Sequence, residues 1–262
     1  MAHRAACTAL ALLVVSGCGS TPSGPGRVDE LPDTDIRVLF IGNSLTYTND
    51  LPGAVATLSG ALGHDVGTVT VASPNFALED HWMLGVAQVI QEVQPDFVVM
   101  QQGPSSLPQN RAHLVAWTDT ISRAIRQAGA QPALLMVWPS LDRYDFFDAV
   151  RESYRAAADQ VNGIFVPAGE ALRALYEGHP AMDPFSWDGF HPSEYGTLVA
   201  AMVVTATLFD SPVTGLPAQL SPPSTGGAAI SVSPEAATIL QQVADSVTAA
   251  WNEAAVGDRI PR

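Results

Sequence analysis

Arg37-Val38-Leu39-Phe40-Ile41-Gly42-Asn43-Ser44-Leu45 is an apolar run that ends in a turn of small and polar residues. Apolar continuity without alternation suits a strand buried on both faces, and Gly-Asn-Ser then breaks it. Similar runs recur at 66–71, 96–101, 133–138 and 164–166, giving five candidate strands with 37–41. Between them Leu114, Trp117, Ile121 and Ile125 form one helical stripe, and Phe147, Val150, Tyr154, Ala158 and Val161 form another. Their aromatics therefore read as core rather than as ligand contacts. Residues 198–209 are apolar over only twelve positions, which predicts a packed helix rather than a membrane span of about 20 residues. A last helix is expected over 234–254. Strands alternating with helices predict an α/β fold with a mostly parallel sheet and helices on both of its faces.

The Gly-Asn-Ser turn follows the carboxyl end of the first strand, where open α/β sheets carry their sites. A serine hydroxyl there is a poor nucleophile until a base within about 2.6–3.2 Å takes its proton, and that base needs a third group to fix its tautomer. Asp188-Gly189-Phe190-His191 supplies both, an acid and an imidazole three residues apart. Taken singly, each motif reads as a turn or helix cap, since Asn, Ser and Asp favour such places. Their pairing at opposite ends of one α/β pattern points to a serine hydrolase.

On these residues the chain resembles the SGNH hydrolases, or GDSL-type esterases, whose first block is GDSL and whose last is DxxH. The first block here reads Gly42-Asn43-Ser44-Leu45, with Asn43 where the family has Asp. The resemblance implies a single-domain, three-layer α/β/α sandwich of flavodoxin-like type with a five-stranded sheet. It also implies Ser44 as nucleophile, His191 as general base and Asp188 as the residue that orients the imidazole. Family members hold the tetrahedral oxyanion with a Gly backbone N–H and an Asn side chain. Asn75, in Ser73-Pro74-Asn75-Phe76-Ala77, stands as the counterpart of that Gly. Gly103-Pro104-Ser105-Ser106 aligns with the family's GxND and puts Ser105 at the Asn, with Gln102 as the alternative donor.

His3 and Arg4 precede an apolar run that ends in Val15-Ser16-Gly17-Cys18, which resembles a bacterial lipobox. Cleavage before Cys18 and lipidation there would give an exported, membrane-anchored protein on the periplasmic or extracellular side. With only Cys7 and Cys18 in the chain, no disulfide is expected. Residues 1–17 thus read as a lipoprotein signal peptide, 18–35 as a flexible tether, 36–256 as the hydrolase-like domain and 257–262 as a polar tail. The tether, rich in Gly, Ser and Pro, has a random-coil reach of about 20–25 Å.

A net charge of −14, with twelve Arg and no Lys, argues against nucleic acid as a partner and leaves ester substrates of small molecules or polysaccharides open. His64, His81, His113 and His179 are scattered without ligand spacing, so no metal site is expected, although His81 follows Glu79 and Asp80 near the second block and is a candidate to line the cleft. Asp142, Asp145 and Asp148 suggest a glycosidase pair at first sight, but the last two fall at a predicted helix start, where acids favour the dipole. No Gly-rich phosphate loop implies a nucleotide, and no cofactor is expected. The predicted activity is hydrolysis of acetyl or short acyl esters through an acyl-serine. An O-acyltransferase using the same residues, or a non-catalytic glycan-binding surface lipoprotein on the same fold, are the alternatives.

Overall fold

Strand β1 (Ile36–Gly42) forms the middle of the molecule in the computed structural model, which describes residues 31–217, 219–220 and 229–257, the last helix beyond residue 252 by its backbone alone. The expected signal peptide, Cys18, most of the tether and residues 258–262 lie outside the described residues. Val38, Leu39, Phe40 and Ile41 are fully buried, as a strand covered on both faces requires. On one side β1 pairs with β2 (Val66–Ala72), on the other with β3 (Phe97–Met100), followed by β4 (Gln131–Leu135) and β5 (Ile164–Val166). The order β2-β1-β3-β4-β5 is parallel at every pairing, so the sheet is wholly rather than mostly parallel.

In chain order the helices are α1 (Ser44–Tyr47), α2 (Leu51–Ala61), α3 (Leu78–Met83), α4 (Val86–Val93), α5 (Pro108–Gln127), α6 (Phe147–Gln160), α7 (Ala168–Gly178), α8 (Glu194–Phe209) and α9 (Pro234–Gly257). The chain steps from β1 to β2 in one direction and from β2 through β3, β4 and β5 in the other. Right-handed crossovers then put α2 on one face of the sheet and α4, α5 and α6 on the opposite face. The packing agrees: α2, α7 and α9 gather around α8, while α3, α4 and α6 pack on α5. Helix α8 is apolar on all sides and largely buried, the expected character of a helix enclosed by its neighbours. The direction of winding reverses between β1 and β3, and the crevice at the carboxyl ends of those strands is where α/β sheets bind ligands.

Three elements differ from the sequence reading. The fourth strand ends at Leu135, and Met136, Val137 and Trp138 leave it while staying fully buried. The start of α7 closes on them: Gly169 N–H donates to Met136 O at 2.9 Å, and a Cβ on Gly169 would stand 2.5 Å from Val137 O. Helix α8 begins at Glu194 rather than 198, because Ser193 Oγ accepts from Gly196 N–H as its N-cap. Before β1, Pro32 and Thr34 lie against Gly67 of β2, so the packed body begins a few residues ahead of Ile36. A two-residue antiparallel pair, β6 (Gln219–Leu220) with β7 (Ile230–Ser231), stands between α8 and α9. Among the described residues no helix is long and apolar enough to cross a membrane.

Candidate active site

Ser44 is the first residue of α1, directly beyond β1. The chain turns there because Asn43, extended at φ −133°, caps the helix: its Oδ1 accepts from Leu45 N–H at 3.1 Å. The same oxygen accepts from Gln101 Nε2 at 2.8 Å, and Asn43 Nδ2 donates to Phe76 O at 3.1 Å. An Asp at this position lacks the donor for Phe76, which gives the departure from the family's first block a physical consequence. Gly42 is needed where it stands, since a Cβ would meet Thr46 Oγ1 at 2.3 Å and Gln101 Nε2 at 2.7 Å.

The loop between α7 and α8 brings the second motif to Ser44. Asp188 Oδ2 lies 2.6 Å from His191 Nδ1, and His191 Nε2 lies 2.9 Å from Ser44 Oγ. A carboxylate only accepts, so it fixes the Nδ1–H tautomer and leaves Nε2 to accept the serine proton. The other carboxylate oxygen, Oδ1, accepts from Ser186 Oγ at 2.8 Å, Phe190 N–H at 3.0 Å and His191 N–H at 2.9 Å. The bond from His191, followed by the loop donors, holds the Asp188 carboxyl well below the usual carboxylate range. Trp138, which the sequence pattern places in a strand, anchors this loop through Nε1–H to Phe190 O at 2.8 Å.

A cleft of about 460 Å³ opens beside Ser44, lined among others by Asn75, Phe76, Gln102, Ser105, Asn110 and Phe190. Asn75 has a left-handed backbone (φ 61°), as has Ser105 (φ 57°). Among the described residues neither the Ser44 nor the Asn75 backbone N–H has an acceptor within the protein. Two free donors at the rim of one cleft are the raw material of an oxyanion hole. The side chains predicted as donors are turned to other uses. Gln102 Oε1 accepts from Leu78 N–H at 3.3 Å and its Nε2 donates to Ser105 Oγ at 2.9 Å, while Ser105 Oγ donates to Gly103 O at 2.9 Å. Both line the cleft, but their mutual bonds make them a brace for its wall.

His81, the candidate to line the cleft, does not line it. It is 1% exposed and lies behind the nucleophile turn, with Nε2 2.8 Å from Gly42 O. Burial pushes its pKa down against the opposing pull of Gly42 and Asp80. Two cleft residues escape the sequence reading: Asn110 and His113, one helical turn apart on α5. Their spacing, just after the third block, is the signal that places them on one face. His113 Nε2 is 2.9 Å from Glu79 Oε2 across the rim. Asp148 does fall in the first turn of α6, where it pairs with Arg151 and Arg173, whereas Asp142 and Asp145 sit in the 3-10 turn before it. Among the described residues no group of three or more His, Cys, Asp or Glu is gathered to hold a metal ion.

No family model and no curated protein matches the chain. Solved structures do match. A protein assigned as an SGNH hydrolase from Slackia heliotrinireducens is 26% identical, with a TM-score of 0.57, over 66% of this chain and 98% of that one. A DUF4886-family protein from Bacteroides uniformis superposes with a TM-score of 0.65 at 17% identity, over 81% of this chain and 94% of that one. A lipase/acylhydrolase from Enterococcus faecalis gives 0.52 at 17% identity, covering 65% and 93%. The five-stranded parallel sheet with flanking helices is the fold shared with these solved structures, and the likeness supports the resemblance to SGNH/GDSL hydrolases.

Proposed function

We propose that the chain is an exported serine ester hydrolase that cleaves acetyl or other short acyl esters through an acyl-serine intermediate. The observation that carries this reading is the unbroken hydrogen-bond path from Asp188 through His191 to Ser44 at the edge of an open cleft. His191 Nε2 takes the Ser44 proton as Oγ attacks the ester carbonyl. The oxyanion is held by the Ser44 and Asn75 N–H groups, and the imidazolium is stabilised by Asp188. His191 then gives its proton to the leaving alcohol, and later takes one from the water that releases the acid.

Because His191 must reach the leaving oxygen, the alcohol lies on the His191 side and the acyl group enters the cleft. Asn110 and His113 add polar side chains to the lining of that cleft, which favours a short acyl group over a long alkyl chain. Export and a lipid anchor at Cys18 rest on the sequence of the first 18 residues. They lean the substrate towards acetylated surface polysaccharide or cell-wall sugar. The test is release of p-nitrophenol from p-nitrophenyl acetate and octanoate, and of acetate from acetylated xylan. The expected result is acetate preferred over octanoate, with turnover lost by about 10⁴-fold or more in Ser44→Ala. A folded wild type inert on every ester contradicts the proposal.

A further inference from the structure

Two bonds converge on the carbonyl of Gly42, the residue that ends β1 two positions before the serine. Ser73 N–H donates to it at 3.2 Å from the segment leading to Asn75, and the His81 ring bonds it at 2.8 Å from α3. A carbonyl only accepts, so His81 carries its proton on Nε2, and Nδ1 is left with a lone pair. That atom is buried without a hydrogen-bond partner. A fully buried histidine that leaves one nitrogen unsatisfied is a poor choice for packing, where Phe or Leu at the same place avoids the cost. The imidazole also meets the Phe76 ring edge-on, with centroids 5.2 Å apart, and Phe76 O in turn accepts from Asn43 Nδ2. The contacts close a ring: Gly42 to His81, His81 to Phe76, Phe76 to Asn43, and Asn43 back to Gly42 through the chain. The Ser44 N–H follows Asn43 in the chain, and the Asn75 N–H precedes Phe76, so each donor is carried by a neighbour of that ring.

We propose that His81 is a positioning residue: through Gly42 O and Phe76 it sets the nucleophile turn against the 73–76 loop, and so fixes the separation of the two N–H donors. The inference rests on the ester-hydrolase reading for its consequence in turnover, and on the geometry alone for its consequence in structure. It also explains why a polar ring is kept in a site that taxes it. The Gly42–Asn43 peptide plane orients Ser44 and its N–H, and a single bond from Ser73 leaves that plane free to rock about it.

His81→Phe separates positioning from packing. The ring volume is kept, the unsatisfied nitrogen is removed, and Gly42 O retains Ser73 N–H, so no buried group is orphaned. The thermal midpoint is expected to stay level or rise. With p-nitrophenyl acetate, kcat is expected to fall about tenfold or more with KM within about twofold, because donors aimed at the oxyanion act in the transition state. Wild-type turnover in His81→Phe overturns the inference while leaving the hydrolase reading intact. The crystal structure of the same variant gives a readout independent of turnover. A shift of Gly42–Ser44 relative to Ser73–Phe76 is expected, and an unmoved pair of segments overturns the inference even in a protein that hydrolyses nothing.

Discussion

The Asn49 side-chain amide donates to Pro192 O at 3.0 Å and to Thr197 Oγ1 at 3.0 Å, joining the segment after Ser44 to the residue after His191 across most of the chain. Asn49 holds a left-handed backbone (φ 53°), as does Asp50 next to it (φ 54°). Strained conformations of this kind persist where the surroundings over-determine them. Here they aim the amide at the loop that must keep His191 within reach of Ser44.

Asn49→Ala removes both bonds and leaves a residue that tolerates the left-handed region less well than Asn, for an expected loss of about 2 kcal/mol in urea unfolding. Asn49→Gly removes the bonds and relieves the backbone. It is expected to recover part of the stability while matching the alanine variant in lowered kcat. Equal stability of the two variants, or full turnover in either, counts against the clamp.

Asp188 governs a pH effect whose sign comes from its lowered pKa. Its hydrogen bonds, that from His191 foremost, stabilise the folded carboxylate. This contribution is complete above the unfolded value near 3.9 and is lost as pH falls below it towards the folded value. The stability gap between wild type and Asp188→Asn is therefore expected to be constant above about pH 4 and to narrow in stronger acid. Turnover of the variant at neutral pH is expected to drop by about 10³–10⁴, through the wrong imidazole tautomer. A gap that narrows instead between pH 6 and 8 points to another group.

Tyr154 belongs to the apolar stripe of α6 and is fully buried, but its hydroxyl donates to Gln102 O at 2.6 Å and accepts from Gln102 N–H at 3.1 Å. It thereby pins the chain where β3 gives way to the cleft wall. Tyr154→Phe leaves these backbone groups without that partner, at an expected cost of about 1–3 kcal/mol. Calorimetry or urea unfolding measures it, and a neutral result shows that the hydroxyl is dispensable.

The strands and the two end motifs were legible because they depend on local rules. Buried parallel strands need apolar continuity, and a turn at a strand end needs small polar residues, so 37–41 and Gly42-Asn43-Ser44 announce themselves. The end of β4 was not legible: Met136-Val137-Trp138 is as apolar as a strand, but Met136 O is taken by Gly169 N–H and Gly169 packs on Val137 O at the start of α7, where the ladder stops. The middle blocks were less legible for a related reason. Ser105 and Gln102 have the chemistry of donors, yet whether a donor faces the cleft or a neighbour is settled by tertiary partners. His81 shows the same limit, its position in the chain being near the second block and its side chain behind the serine. Asn110 and His113 carried a readable spacing, but nothing in the sequence set that face of α5 over Ser44.

The most direct test of the central claim is mass-spectrometric mapping of the site labelled by a fluorophosphonate probe on the purified domain. The account predicts one modified peptide, labelled at Ser44, with labelling slowed strongly in His191→Ala and abolished in Ser44→Ala. A folded protein that takes no label, or takes it at another serine at the same rate in all three proteins, contradicts it.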